Sequence, residues 1–190
     1  KKETYNFNLK SRETFILTNN WFMAFFLITV LIGMLYPIFL DVLTNVKISV
    51  GPPFFNIVII PLVVPLMFLM AIGPKFAWIK SKNNNYYEVL FLILGSIIVN
   101  LIIFYFFGKY SLLSNLIFIA AIFLILYSFL DFIKFINKKN KPELPRIISH
   151  LGFGLLVFFI GINHQFSIEE DFNLKVGEIK KTINYEINFK

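Results

Sequence analysis

His150 is the side chain in this sequence whose type and position are best suited to chemistry. It lies inside an apolar span from Leu144 to Asn163, LPRIISHLGFGLLVFFIGIN. Pro145 suits the first turn of a helix, and Arg146 supplies a charge at the membrane surface. His150 follows Arg146 by four residues, which is roughly 6 Å along a helix axis. The imidazole is therefore placed below the membrane surface, where a polar group needs a partner.

Two glycines leave His150 with two alternative roles. Gly154 and Gly161 follow it by four and eleven positions, and all three fall within a narrow angle on a helical wheel. This face could form a groove for a flat ligand, in which a neutral imidazole nitrogen binds a metal. Alternatively, His150 hydrogen-bonds a neighbouring helix while the glycines allow close packing. On this span alone, the residues favour the packing interpretation.

The composition predicts an all-α membrane protein. Of 190 residues, 57% are hydrophobic and 15% are charged, and the mean hydropathy is +0.73. No soluble domain of this size needs so much apolar surface. In a soluble protein, a formal net charge of +7 could indicate nucleic-acid binding. Here the basic residues lie in the loops that determine membrane topology, so no nucleic-acid partner is expected. The absence of cysteine excludes disulfides and thiol chemistry within this sequence.

Five stretches are long and apolar enough to cross a bilayer as helices. We predict these five transmembrane helices at about residues 20–40, 54–73, 87–107, 112–130 and 144–163. Asn100 lies deep inside the third span, where it is expected to hydrogen-bond another helix.

Polar segments flank the helical region on both sides. Residues 1–19 form a polar, cytoplasmic segment, and residues 164–190 begin a truncated periplasmic β-rich module, a short β-like extracytoplasmic tail. Strand periodicity in this tail comes from apolar residues that alternate with polar ones: Ile183, Tyr185, Ile187 and Phe189. An earlier strand around residues 172–176 would reach them through a turn at Gly177.

The distribution of lysine and arginine predicts the orientation in the membrane. Four basic residues precede the first span and three follow the second, and five lie between the fourth span and the first turn of the fifth. The two intervening loops carry one each, Lys47 and Lys109. The basic loops therefore lie on one side, which the positive-inside rule makes cytoplasmic. His150 then lies in the cytoplasmic half of its span, and the tail lies outside, in the periplasm or its equivalent.

Several stretches, in order along the chain, carry a resemblance to a known family. They are SRETFILTNN at 11–20, LIGMLYPIFLD at 31–41, KISVGPPFFN at 47–56, PLMFLMAIGP at 65–74 and SHLGFGLLVFFIGI at 149–162, followed by VGE at 176–178. The chain resembles the carboxy-terminal portion of the CcmF family, the large membrane subunit of the cytochrome c maturation haem lyase. KISVGPPFFN is the most specific of these stretches, because no general property of membrane helices demands it.

The resemblance implies a role in attaching haem to apocytochrome c outside the cytoplasmic or mitochondrial inner membrane. In this family the lyase receives haem from the haem chaperone CcmE and works with CcmH-type thiol subunits. It also holds a resident b-type haem, and one of its axial histidines belongs to a motif that His150-Leu151-Gly152 matches. The resemblance therefore implies that His150 binds the haem iron, with Gly154 beside it. Arg12, and less so Arg146, could pair with a haem propionate. The residues themselves favour the alternative for both arginines, a charge that contacts lipid headgroups or determines topology.

Departures from the family pattern limit what this chain can do alone. The tryptophan-rich external segment, the two external histidines and the partner histidine of the resident haem have no counterpart here. His164 matches no motif and is interpreted as an interfacial side chain. The chain is therefore expected to be a carboxy-terminal portion or one half of a split protein, inactive without the amino-terminal part, which would supply the second axial ligand.

Three alternative functions remain open from the sequence. The chain could be a non-catalytic membrane scaffold of the same complex, or a subunit of the paralogous lyase that serves nitrite reductase. A secondary transporter is the third alternative, suggested by Pro61 and Pro65 within the second span. It is disfavoured because the spans carry no deeply placed Asp, Glu, Lys or Arg and the sequence shows no internal repeat.

Overall fold

Five long helices and one short antiparallel strand pair make up the fold in the computed structural model. It describes residues 11–76, 86–108, 111–138, 143–166, 177, 179–181 and 186–188. The helices are α1 (Arg12–Thr44), α2 (Pro52–Ile72), α3 (Tyr86–Phe107), α4 (Leu112–Lys138) and α5 (Leu144–Phe166), and a 3₁₀ turn (Gly73–Lys75) follows α2. All five helices are long and apolar enough to cross a membrane, which confirms the predicted fold class.

The first helix is longer than the predicted span at both ends. α1 begins at Arg12, inside the segment assigned as polar, because the Ser11 hydroxyl accepts a hydrogen bond from the Thr14 amide at 3.4 Å and so caps the helix. It ends where Asn45 adopts a left-handed conformation with a φ of 55°. Hydropathy locates the apolar part of a helix, whereas capping residues determine where the helix begins and ends.

α4 is the central helix of the bundle. In its apolar stretch of 18 residues, half of the residues are buried. In the corresponding stretch of each other helix, no more than 17% are buried. It packs against α2, α3 and α5, while α1 packs against α2 and the 3₁₀ turn. The buried side chains of α4 include Phe118, Ala120, Ala121, Phe123 and Leu124. Small residues among them let neighbouring backbones approach closely, which is how membrane helices associate without a hydrophobic driving force.

The carboxy-terminal tail contains the strand pair. β1 (Ile179–Lys181) and β2 (Glu186–Asn188) run antiparallel, with Lys180 opposite Ile187. β2 lies within the segment where alternation predicted a strand. β1 was not predicted. Gly177 has a φ of 90° and forms a turn, whereas the earlier strand predicted at residues 172–176 lies outside the described residues.

The Asn100 amide links α3 to α4, as its position predicts. The Asn100 side-chain nitrogen donates a hydrogen bond to the side-chain oxygen Oδ1 of Asn115 at 3.0 Å, and Asn100 is 3% exposed. We expect Asn100→Ala to lower the free energy of unfolding by about 0.6–2 kcal/mol, the range for interhelical hydrogen bonds in membranes. Thermal unfolding in detergent measures this loss. Asn20→Ala, at an exposed position on α1, is the matched control, and an equal effect there would contradict the role given to Asn100.

Candidate functional site

His150 lines a cleft where α1, the end of α2 and the start of α5 meet. The cleft has a volume of about 320 Å³ and is open on one side. α5 contributes two polar side chains, His150 and Arg146, which lie one helical turn apart. The other lining residues are Arg12, Phe15, Ile16 and Asn19 of α1 and Leu69, Met70, Gly73 and Pro74 of α2 and the 3₁₀ turn. The cleft thus combines apolar walls with two guanidinium groups and one imidazole.

Two residues that the sequence singled out separately are brought together here. Arg12 lies on the first helix and His150 on the last, yet both line this cleft. Arg146, which the sequence marked chiefly as a topology signal, lines it as well. Among the described residues, no group of three or more acids or histidines is arranged to hold a metal ion.

Packing of α1 on the 3₁₀ turn places Arg12 at the cleft. The Phe15 and Phe76 rings stack with centroids 4.5 Å apart. Gly73 lies beneath Phe15, because a Cβ at Gly73 would be only 3.2 Å from the Phe15 Cβ. The absence of a side chain at Gly73 therefore lets α1 approach the 3₁₀ turn closely. Arg12 lies about one helical turn before Phe15, so this contact also positions Arg12.

A buried carboxylate joins the cleft to neighbouring helices. Asp131 of α4 is 5% exposed and accepts hydrogen bonds through both oxygens. Its Oδ1 binds Lys75 Nζ at 2.8 Å, and its Oδ2 binds Arg146 Nη1 at 3.1 Å. Glu143 contacts the other nitrogen of Arg146 at a longer 3.5 Å. Lys75 and Arg146 therefore each have a partner of opposite sign, which a poorly hydrated environment requires.

The ion pairs extend across the same end of the bundle to α3. Lys134 of α4 donates to Glu88, and Lys75 lies 3.8 Å from Glu88. Lys75 Nζ also lies 4.9 Å from the centre of the Tyr127 ring, in the geometry of a cation–π contact. Sequence reasoning did not find these pairs, because their members are far apart along the chain. The available signal was Asp131 itself, an acid at the end of an apolar span that faces basic residues on both sides.

Gly154 lies against α4 and is not among the described residues that line the cleft. A Cβ there would be 3.0 Å from Ile125 Cγ1 and 3.5 Å from the Ile125 backbone nitrogen. A Cβ at Gly161 would similarly be 3.1 Å from the Phe118 ring. The glycine face is thus filled by α4, which is the close-packing alternative considered for this span. His150 lies beside that interface and reaches the cleft from its edge.

His164 occupies a different place near the carboxy-terminal end of α5. It lines a small cavity of about 70 Å³ with Asn56, Ser111 and Ser114. His150 does not line that cavity, and His164 does not line the basic cleft. The two histidines of the chain therefore provide separate tests of any role assigned to one of them.

Comparison with known proteins gives consistent results for the whole chain. It is 32% identical over 199 residues to a protein of Pseudomonas fluorescens named cytochrome c-type biogenesis protein CcmF, covering all of this chain and 30% of that protein. A protein of the same name from Pseudomonas aeruginosa is 28% identical and is matched over 99% of this chain and 30% of its own length. No family model matches the chain.

A solved structure supports the fold independently. The structure described as cytochrome c heme lyase CcmF superposes with a TM-score of 0.66 at 20% identity, covering 93% of this chain and 29% of the other. At this identity the likeness concerns the fold. The chain spans about 30% of the length of the curated relatives that it matches.

Proposed function

Because the chain is homologous over its whole length to a segment of the CcmF family of cytochrome c-type biogenesis proteins, we propose that it is a membrane portion of a cytochrome c haem lyase that holds a resident haem. The observation that carries this proposal is the basic cleft. Arg12 of α1 lies there with Arg146 and His150 of α5, although Arg12 is far from both along the sequence.

The groups in the cleft fit a b-type haem. The His150 imidazole would bind the iron, and the guanidinium groups of Arg12 and Arg146 would pair with the propionate carboxylates. Phe15, Leu69 and other apolar side chains would contact the macrocycle. The volume of about 320 Å³ lies at the lower end for small-molecule sites, so part of the group would project through the open side. When bound, haem supplies an iron centre that accepts and releases one electron at a time.

In this proposal Gly154 has a packing role between α5 and α4. Its close contact with Ile125 lets α5 lie against α4, and this contact determines where the first two turns of α5 present Arg146 and His150. The glycines and the ion pairs equally support the alternative that this chain is a non-catalytic scaffold of the same complex. The two alternatives differ in whether the cleft binds haem.

The remaining parts of the lyase would lie outside this sequence. The amino-terminal part of the lyase would supply the second axial ligand and the external haem-binding groups. The haem chaperone CcmE would deliver haem, CcmH-type thiol subunits would present apocytochrome c, and the lyase would act only with these partners. By the positive-inside rule, the end of the bundle with the cleft faces the cytoplasm and the strand pair faces the periplasm or its equivalent.

The proposal is tested with the chain coexpressed with the amino-terminal part and purified as a complex. We expect the absorption spectrum of the reduced complex to show a b-type haem, and Arg12→Gln to weaken haem retention roughly tenfold, the factor implied by losing one hydrogen bond between charged groups. Lys47→Gln, outside the cleft on an exposed loop, is the control. A complex without b-type haem would reject the proposal, and equal haem loss in both variants would reject the role of Arg12.

A further inference from the structure

A single buried carboxylate, Asp131, has two cationic partners whose circumstances differ. Lys75 has Glu88 at 3.8 Å and the Tyr127 ring at 4.9 Å in addition to Asp131. Arg146 has one other carboxylate partner among the described residues, Glu143, at 3.5 Å, and the Glu143 side chain is 50% exposed. Asp131 is therefore the closer and the less exposed of the two carboxylates that contact Arg146, whereas Lys75 has the Tyr127 ring as a further contact.

The two cations also differ in where they lie. Arg146 lines the cleft beside His150, and Lys75 does not, although Gly73 and Pro74 just before it do. Asp131 contacts these cations through different oxygens, Oδ2 for Arg146 and Oδ1 for Lys75. Because its side chain is only 6% exposed, few water molecules can replace the hydrogen bond to Arg146.

We propose that Asp131 is a positioning residue for the cleft: it holds the Arg146 guanidinium at the cleft wall, where the remaining N–H groups can bind an anionic group of the ligand. A guanidinium has five N–H donors in a fixed plane, so one bond to Asp131 both limits its rotation and leaves donors available. Asp131 itself does not line the cleft. The identity of the ligand rests on the proposed function, but the position of Arg146 does not.

Arginine labelling of the chain tests this role without any bound group. The sequence contains two arginines, Arg12 and Arg146, so phenylglyoxal modification followed by peptide mass spectrometry reports on each separately. We expect Asp131→Asn to raise the labelling rate of Arg146 roughly tenfold, as loss of one hydrogen bond between charged groups implies, with Arg12 unchanged. Lys75→Gln, which removes the other partner of Asp131, should leave Arg146 labelling at the wild-type rate.

Several outcomes would overturn the positioning role. These are an unchanged Arg146 rate in Asp131→Asn, or an equal increase in Lys75→Gln. Should Asp131→Asn unfold the chain, the labelling of both arginines would rise together, and Glu143→Gln at the exposed partner would then decide. An unchanged Arg146 rate in Glu143→Gln supports Asp131 as the main partner, whereas a roughly tenfold rise there assigns that role to Glu143.

A redox titration followed by absorption tests the positioning role of Asp131 separately from the haem-binding function proposed for the cleft. In the complete complex, Asp131→Asn should shift the midpoint potential of the haem in the positive direction, because a negative charge near the site is lost. A potential equal to that of the wild type would overturn the link between Asp131 and the cleft. If the wild-type complex holds no haem, the proposed function fails while the labelling result still decides whether Asp131 positions Arg146.

Discussion

His150→Ala is expected to abolish the b-type haem signal of the complete complex while the amount of complex stays unchanged. His150 is the histidine that lines the basic cleft, and alanine offers no donor to the iron. The packing of α5 should survive, because Gly154 and Gly161 make close contacts with α4 that do not involve His150. The measurement is the reduced-minus-oxidised absorption spectrum, normalised to protein, together with size-exclusion chromatography.

His164→Ala provides the matched control for this result. The same residue type is removed from the same helix, but at a cavity shared with Asn56 and Ser114 near its other end. We expect this variant to keep the full haem signal. An unaltered spectrum in His150→Ala would reject haem ligation by that residue and favour the scaffold function, and loss of the signal in both variants would point to an indirect effect on the fold.

Gly154→Leu is expected to separate α4 from α5 and to cause the largest loss of stability among single substitutions in this interface. A Cβ at this position would lie 3.0 Å from Ile125 Cγ1, and the next nearest atoms belong to the backbone of Ile125 and Ala121, which cannot rotate away. Overpacking of this kind costs about 1–3 kcal/mol, and occasionally more. The melting temperature in detergent, followed by circular dichroism, measures it.

Gly152→Leu is the control on the same helix, two residues away. A Cβ at Gly152 would meet no atom within 4 Å, so a leucine there only replaces a poor helix former. It should therefore leave stability unchanged or raise it by up to about 1 kcal/mol. Equal melting temperatures for the two leucine variants would contradict the packing role assigned to Gly154.

The number and order of the helices could be predicted from the sequence because hydropathy is a property of each segment by itself. The ends of the helices required more. α1 begins at Arg12 through a serine cap, and α4 continues to Lys138, beyond the predicted end at residue 130, because its final turns include Asp131 and Lys134, whose ion pairs stabilise polar helix outside the apolar window. These pairs depend on other helices, so no local pattern shows them.

For the candidate site as well, the sequence identified individual residues, whereas their arrangement required the structure. His150 was found because an ionisable group inside an apolar span requires a partner, and Arg12 came from the resemblance to the family. Their placement in one cleft is a finding of the fold. The direction of the glycine face was left open by the sequence, since a helical wheel shows which residues share a face but not which neighbour covers it. The structure shows that α4 covers it through Ile125 and Phe118.

The length of α1 has a consequence for the hydration of a charged ligand in the cleft. Its 33 residues extend roughly 50 Å at 1.5 Å per residue, whereas the hydrocarbon layer of a bilayer is about 30 Å thick. Even when tilted, α1 must project from the lipid, and its first nine residues, RETFILTNN, are the polar part that can do so. We therefore expect the mouth of the basic cleft to lie at the level of interfacial water, where acidic groups bound by Arg12 would retain part of their hydration shell.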